Sequence, residues 1–351
     1  MTDIASRRAR AARRRRMKRR KKIKNTFLLI LLLLVIGGIG YSALYILKYG
    51  IHADLTLPYN SYVEFENTFA GESSQRSEAF AEDLCVVVGN VDLDGTSLES
   101  NQSGVLLDVN EEEVIYAKGA YERIYPASIT KIMTAILAFQ YGEMDETVTI
   151  TQENITLEEG SQVCGFREGD RVTMRELVYS LLVYSGNDAA SAIATNIGGS
   201  MDGFVEMMNS YAAQLGCTGT HFTNPHGLHD ENHYTTTYDI YLMLKEALKY
   251  PNFTEITQLS SHTLNYTRSD GTPISTYLEA TDQYLTGESN APKNVVILGG
   301  KTGTTSAAGN CLALLSQNAF GKPYVSIVTG ATTKSVLYSQ MNSLLEHIND
   351  V

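Results

Sequence analysis

Cysteine is scarce in this chain, and what there is lies scattered. Cys85, Cys164, Cys217 and Cys311 are the only four in 351 residues, and no two form a C-x-x-C pair. That spacing excludes a zinc ribbon and a thioredoxin-like redox motif. For a domain outside the cytoplasm, three full disulfide pairings and burial as four small apolar thiols all stay open. Basic charge is also scarce, except at one end. Residues 1–24 hold 13 of the 28 Lys and Arg and one acid, Asp3. The remainder carries 15 basic against 38 acidic residues, a net charge of −23. A body this acidic argues against nucleic acid as a partner. No internal repeat is visible. With 43% hydrophobic and 19% charged residues, the chain suits one large globular domain or two small ones.

Charge is absent altogether from residues 27–47, which read FLLILLLLVIGGIGYSALYIL. As a helix this stretch spans about 31 Å, the thickness of a bilayer core. It is longer than the apolar stretch of most cleaved signal peptides. The basic run from Arg13 to Lys22 lies just ahead of it. Alone, such a run could be a nucleic-acid arm or a nuclear signal. Set against an apolar helix, it instead keeps the N-terminus in the cytoplasm and places everything after Lys48 outside. Anionic lipid headgroups are a further partner for it. The expected organisation is a cytoplasmic tail (1–26), a transmembrane helix (27–47), a polar stalk (48–82) and a folded domain (83–351) at the outer face of the cell membrane.

Within the folded domain, Leu84–Val91, Val105–Val109 and Val114–Ala117 are apolar and β-prone, the last two forming a hairpin around Asn110–Glu113. Ser128–Gln140 is nearly all apolar after Lys131, as in a helix buried on every side. Helical spacing recurs at Leu177, Leu181 and Tyr184, at Phe204, Met208, Tyr211 and Leu215, and at Ile240, Leu244 and Leu248. Strand-like runs return at Val295–Leu298, Cys311–Leu315 and Tyr324–Thr329. Strands, helices, then strands predict an α+β fold: one antiparallel sheet closed by both chain ends, flanked by helices, with an all-helical lobe inserted between.

Three short motifs carry chemistry. Pro126-Ala-Ser128-Ile-Thr-Lys131 holds the only S-x-x-K in the chain. At i and i+3 on a helix, Ser128 and Lys131 are neighbours. A serine hydroxyl needs a base to take its proton, and a buried lysine with a depressed pKa can serve. Ser185-Gly186-Asn187 falls between two helical patterns, where its hydroxyl and amide could pass a proton and hold a substrate amide. Gly300-Lys301-Thr302-Gly303-Thr304 follows an apolar run and reads as a hairpin turn or as a substrate-binding edge strand. On such a strand Gly303 lets a peptide approach the backbone, while Lys301, Thr302 and Thr304 offer a cation and hydroxyls to a carboxylate. Singly each motif is weak. In this order S-x-x-K, S-x-N and K-T-G match the set found in penicillin-binding proteins and class A β-lactamases.

PASITKIMTA, LLVYSGNDAA, THFTNPHGLHDENHYTT and GGKTGTTSAAGNC together resemble the low-molecular-mass serine D-alanyl-D-alanine carboxypeptidases over residues 83–340. The resemblance implies a β-lactamase/transpeptidase-like fold, a peptidoglycan stem peptide ending in D-Ala-D-Ala as substrate, acylation by β-lactam antibiotics, and no cofactor or metal. It implies Ser128 as nucleophile, Lys131 as acceptor of its proton, and Ser185 as donor to the departing D-alanine. Asn187 would orient the peptide and Lys131, and the N–H groups of Ser128 and Thr304 would form an oxyanion hole.

Two features depart from the family. The chain is expected to end at Val351 without the C-terminal β-domain and amphipathic helix common there, its anchor being N-terminal. No arginine follows Lys301, and Lys334 is the nearest substitute to hold a substrate carboxylate. His221, His226, His229 and His233 cluster as metal ligands can, but Asn224-Pro225 and Gly227 break any helix there, and the resemblance accounts for His221 and His226 as structural. Alternatives are a β-lactamase of the same fold, disfavoured by the THFTNPHGL segment and the anchor, and a catalytically silent protein that binds cell wall through the same groove.

Overall fold

A computed structural model of the chain describes residues 84–349. The expected tail, transmembrane helix and stalk, together with residue 83 of the expected domain, lie outside the described residues.

The central sheet has five strands in the order β2-β1-β9-β8-β7 and is antiparallel throughout. β1 (Ser103–Asp108) and β2 (Glu113–Lys118) form the expected early hairpin. β7 (Val296–Thr305), β8 (Gly309–Gln317) and β9 (Pro323–Ala331) come from the end of the chain. β1 pairs with β9 from Ser103↔Thr329 to Asp108↔Tyr324, so both ends of the domain close one sheet. Its strands alternate between two buried faces, as the pleat requires. Val105, Leu107, Ala313, Leu315, Val325 and Ile327 face the larger core, with the helices Lys131–Tyr141 and Thr237–Ala247. Leu106, Leu312, Leu314 and Val328 face the helix Lys334–Glu346 through Leu337, Met341 and Leu344. Helices on both faces bury the sheet, in an α+β arrangement.

The sequence patterns lead to these helices by clear local rules. Phe204, Met208 and Tyr211 lie on Met201–Gln214, and Ile240 and Leu244 on Thr237–Ala247. Ser200, Thr236 and Thr333 each accept a backbone N–H from the first turn of the helix that follows, satisfying an otherwise orphaned donor. Lys131–Ala138 is buried without a break, so the helix has no solvent face until its last turn, where Gln140 and Tyr141 are exposed.

Two expectations are corrected. The inserted lobe is not all-helical. It contains a second antiparallel sheet, β3 (Thr147–Thr149), β4 (Arg171–Thr173), β5 (Ser261–Thr267) and β6 (Pro273–Glu279), in the order β3-β4-β5-β6. β5 and β6 alternate, with Leu264, Tyr266 and Leu278 buried between exposed neighbours, and Gly271 takes φ +90 in the turn joining them. Period-two burial on one face holds a strand where helical periodicity is missing. Leu84–Val91 alternates too, with Cys85 and Val87 buried and Val86 and Val88 exposed. Yet it meets β2 only at Val91↔Ala117, and an extended segment without a ladder is not a strand. All four cysteines are buried free thiols.

Candidate active site

Pro126 leads into a tight 3₁₀ turn, Ala127–Thr130, which the buried helix continues from Lys131. The turn keeps Ser128 and Lys131 on one face, and Lys131 Nζ lies 2.8 Å from Ser128 Oγ. The same nitrogen lies 2.7 Å from Asn187 Oδ1 and 2.7 Å from the His226 carbonyl. Lys131 has no exposed surface. Burial, and then the charge of Lys301, push its ammonium well below the usual lysine range. All three partners are oxygens that accept from Nζ, namely Ser128 Oγ, Asn187 Oδ1 and the His226 carbonyl, and loss of one Nζ proton would turn a lone pair toward the Ser128 hydroxyl. Ala127 has φ +48, a left-handed conformation costing ~1–2 kcal/mol in a residue with a Cβ.

Ser185 ends a wide helical turn, Ser180–Tyr184, in the left-handed region at φ 69, and Asn187 opens the helix Asn187–Gly198. Wide turns of this kind cluster at functional sites. Gly186 between them has no room for a side chain, because a Cβ there would lie 2.4 Å from Cys164 Sγ. Lys301 Nζ donates to Ser185 Oγ at 2.9 Å and to the Thr302 carbonyl at 3.0 Å. Burial pushes Lys301 down to about 7, against the pull of the Asp282 carboxylate.

The K-T-G segment is not a turn. It lies within β7, on the outer edge of the central sheet. Thr302 bonds through its hydroxyl to Thr281, and Thr304 Oγ1 donates to Asn310 Oδ1 at 3.2 Å. Gly303 also meets a close approach within the protein. A Cβ there would fall 2.9 Å from the Pro126 carbonyl and 3.0 Å from Ser128 N, so the glycine is required by the nucleophile turn pressed against the strand. A cavity of about 350 Å³ opens here, lined by Ser128, Ser185, Asn187, Thr302, Gly303 and Thr304. Lys131 and Lys301 lie behind that lining, and Lys301 meets it through Ser185 and Thr302 rather than facing the cavity. Lys334, exposed at the start of its helix, is the one charged side chain lining the cavity among the described residues. Gln162, Thr281 and Tyr338 also line it and belong to no motif, so spacing along the chain could not have found them.

The four clustered histidines face different partners. His221 Nδ1 lies 2.6 Å from the Asn232 carbonyl, and His229 packs edge-on against Tyr125. His226 Nδ1 accepts the Leu228 N–H, and His233 Nδ1 accepts the Thr223 N–H. Burial and the neighbouring Lys131 push His226 down to about 3. Burial pushes His233 down to about 4, against the pull of Asp230. Both are neutral in the folded chain and take up a proton on unfolding below pH 6.5. Their contribution to stability is therefore whole above about pH 6.5 and falls as the pH drops toward 4, by on the order of 3–5 kcal/mol per histidine at the limit. Urea titrations at pH 7 and pH 4.5 should show a clearly lower midpoint in acid, and equal midpoints would contradict two neutral buried rings.

Comparison with known proteins gives the same picture. The D-alanyl-D-alanine carboxypeptidase family model, peptidase S11, matches residues 95–333. The D-alanyl-D-alanine carboxypeptidase DacF of Bacillus subtilis is 33% identical over 252 residues, 70% of this chain and 61% of the relative. DacC of Escherichia coli is 30% identical over 279 residues, 76% of this chain and 64% of the relative. The chain thus spans a little over three-fifths of these relatives' length. Among solved structures, an R248L mutant of the Streptomyces K15 DD-transpeptidase superposes with a TM-score of 0.65 at 26% identity, covering 70% of this chain and 96% of that one. With a matching family model over most of the domain and the serine–lysine pair in contact, the chain belongs to the D-alanyl-D-alanine carboxypeptidase family of peptidases.

Proposed function

We propose that this protein is a serine-type D-Ala-D-Ala carboxypeptidase that removes the terminal D-alanine from peptidoglycan stem peptides and is acylated by β-lactams. The observation that carries the reading is the 2.8 Å contact between Ser128 Oγ and a fully buried Lys131 Nζ at the cavity wall. Ser128 Oγ attacks the carbonyl carbon of the penultimate D-alanine, and its proton passes to Lys131 Nζ. The N–H groups of Ser128 and Thr304 hold the developing oxyanion. As the C–N bond breaks, the Ser185 hydroxyl gives its proton to the departing amine and takes one in turn from Lys301 Nζ, 2.9 Å away. Asn187 keeps Lys131 in place through Oδ1 and, from the cavity wall, orients the peptide. Water then attacks the acyl-enzyme and frees Ser128. The names of both relatives, and the serine-peptidase motif set, support a hydrolytic outcome.

A β-lactamase reading finds less support. Among the described residues no Asp or Glu lines the cavity, so no carboxylate is at hand to activate water for fast release of a penicilloyl group. A fluorescent penicillin should therefore label the wild-type protein and persist on it, and Ser128→Ala should not be labelled. Mass spectrometry of a stem pentapeptide should show loss of one D-alanine. An unlabelled wild-type protein would end the enzyme reading in favour of a silent cell-wall binder, and rapid loss of label would favour a β-lactamase.

Two cations divide the work in this reading. Lys334 pairs with the substrate's terminal carboxylate, and Lys301 depresses Lys131. Lys334→Ala should raise KM for a peptide with a free carboxylate about tenfold, consistent with one charge-assisted contact, and leave its methyl ester little affected. Lys301→Ala removes a neighbouring positive charge, so the pKa of Lys131 rises and the acid limb of acylation moves to higher pH. An unmoved limb would show that the two ammonium groups are not coupled.

The apolar, uncharged stretch 27–47 behind a basic run supports a single-pass anchor with the catalytic domain outside the membrane. Deleting residues 1–48 should move penicillin-labelled protein from the membrane fraction to the soluble one. Retention in the membrane would place the anchor elsewhere.

A further inference from the structure

A line of hydrogen bonds runs under the nucleophile and takes no part in the proton transfers above. It starts at the Thr223 N–H, which donates to His233 Nδ1 at 3.0 Å. With Nδ1 accepting, the imidazole hydrogen sits on Nε2, 2.8 Å from Thr130 Oγ1. Thr130 therefore accepts from His233 and spends its own hydrogen on the Ala127 carbonyl, also at 2.8 Å. Thr130 has no exposed surface and His233 is 2% exposed, so water cannot take over either contact.

The end of this line matters because of which peptide it reaches. The Ala127 carbonyl and the Ser128 N–H belong to one planar peptide unit and point in opposite directions. Ser128 N faces β7 closely enough that a Cβ on Gly303 would lie 3.0 Å away. On its other side, the same carbonyl oxygen would lie 1.8 Å from a Cβ on Gly227, so the loop around His226 presses on the unit from below. A bond to the carbonyl fixes the tilt of the peptide and polarises its N–H. Left-handed Ala127, at φ +48, would relax if released.

We infer that His233 is a positioning residue for acyl transfer: acting through Thr130, it sets the tilt of the 127–128 peptide and so aims the Ser128 N–H and the Ser128 hydroxyl together. This rests on the acyl-enzyme reading of Ser128. The loop that carries His226 and His233 thus contributes more than the His226 carbonyl, because it also holds the oxyanion donor.

One arm of the test is independent of activity. The ¹⁵N shifts of His233, measured in Ser128→Ala as well as wild type, should report an Nε2–H tautomer at neutral pH. An Nδ1–H tautomer would overturn the inference even if catalysis proceeds as proposed. The second arm uses acylation by benzylpenicillin, split into the dissociation constant of the initial complex and the rate constant at saturation. Thr130→Val and His233→Asn should lower the rate constant by roughly 10–100-fold, below the effect of removing an oxyanion donor outright, with the dissociation constant changed about twofold or less. Thr130→Ser restores the hydroxyl, and His233→Gln restores a donor near Nε2. Both should recover to within about threefold of wild type, and Thr130→Val/His233→Asn should be no slower than the slower single variant. A wild-type rate in His233→Asn, or equal losses in His233→Asn and His233→Gln that follow their melting temperatures, would show that the ring only fills space. Complete absence of acylation in the wild type would instead strike the proposed function, leaving the tautomer as the deciding result.

Discussion

The site depends on one buried amine. Lys131 Nζ has no contact with solvent, so each of its hydrogen-bonding directions must be met by protein. The partners come from three stretches of chain, two of them distant: Ser128 from its own turn, Asn187 from the start of another helix, and the His226 carbonyl from the loop after the helix Met201–Gln214. None of these stretches can shift without leaving a buried polar group unpaired, a loss of about 1–3 kcal/mol. The dryness that lowers the Lys131 ammonium is thus tied to the contacts that hold these stretches together.

Dryness also couples the two lysines. In water, two ammonium groups in one cavity wall would interact weakly. Behind this wall each is fully enclosed, and Lys301 lowers Lys131 while Asp282 offsets the cost to Lys301 itself. Close approach makes this possible, and glycines permit it. At Gly186, Gly227 and Gly303 the space for a Cβ is taken by Cys164 Sγ, the Ala127 carbonyl, and the Pro126 carbonyl with Ser128 N. Two of these glycines, Gly227 and Gly303, press on the turn that carries Ser128, and the third, Gly186, packs the segment between Ser185 and Asn187 against Cys164.

Much of this was legible from local pattern. The early hairpin, the three late strands and the helices around Phe204 and Ile240 followed the periods of two and 3.6 that burial on one face imposes. The fully buried helix after Ser128 was legible because its apolar residues leave no polar face. The second sheet was not. β3 and β4 are three residues each, too short to show a period, and β5 and β6 carry threonine, serine and asparagine that read as loop until their alternate burial is seen. Leu84–Val91 failed in the opposite way, with a strand's alternation but no partner along its length. Within the site, motif spacing placed Ser128 beside Lys131 because i and i+3 are neighbours by geometry alone. Nothing local could place Asn187 on the same nitrogen, or turn Lys301 inward to Ser185.

By itself, the sequence determined the chemistry available: a serine and a lysine one turn apart, a second serine and an amide at a break between helices, a lysine bracketed by glycines after an apolar run, and an uncharged stretch behind a basic run. These are local properties, set by residue type and short-range geometry. Only the tertiary structure decided which lysine meets which serine. Both are buried and lowered by burial, but Lys131 meets the Ser128 hydroxyl and is lowered further by Lys301, whereas Lys301 meets Ser185 and is held up by Asp282. It also decided why Gly303 is a glycine and what His233 can hold. Those answers depend on atoms far apart in the chain and in contact only after folding.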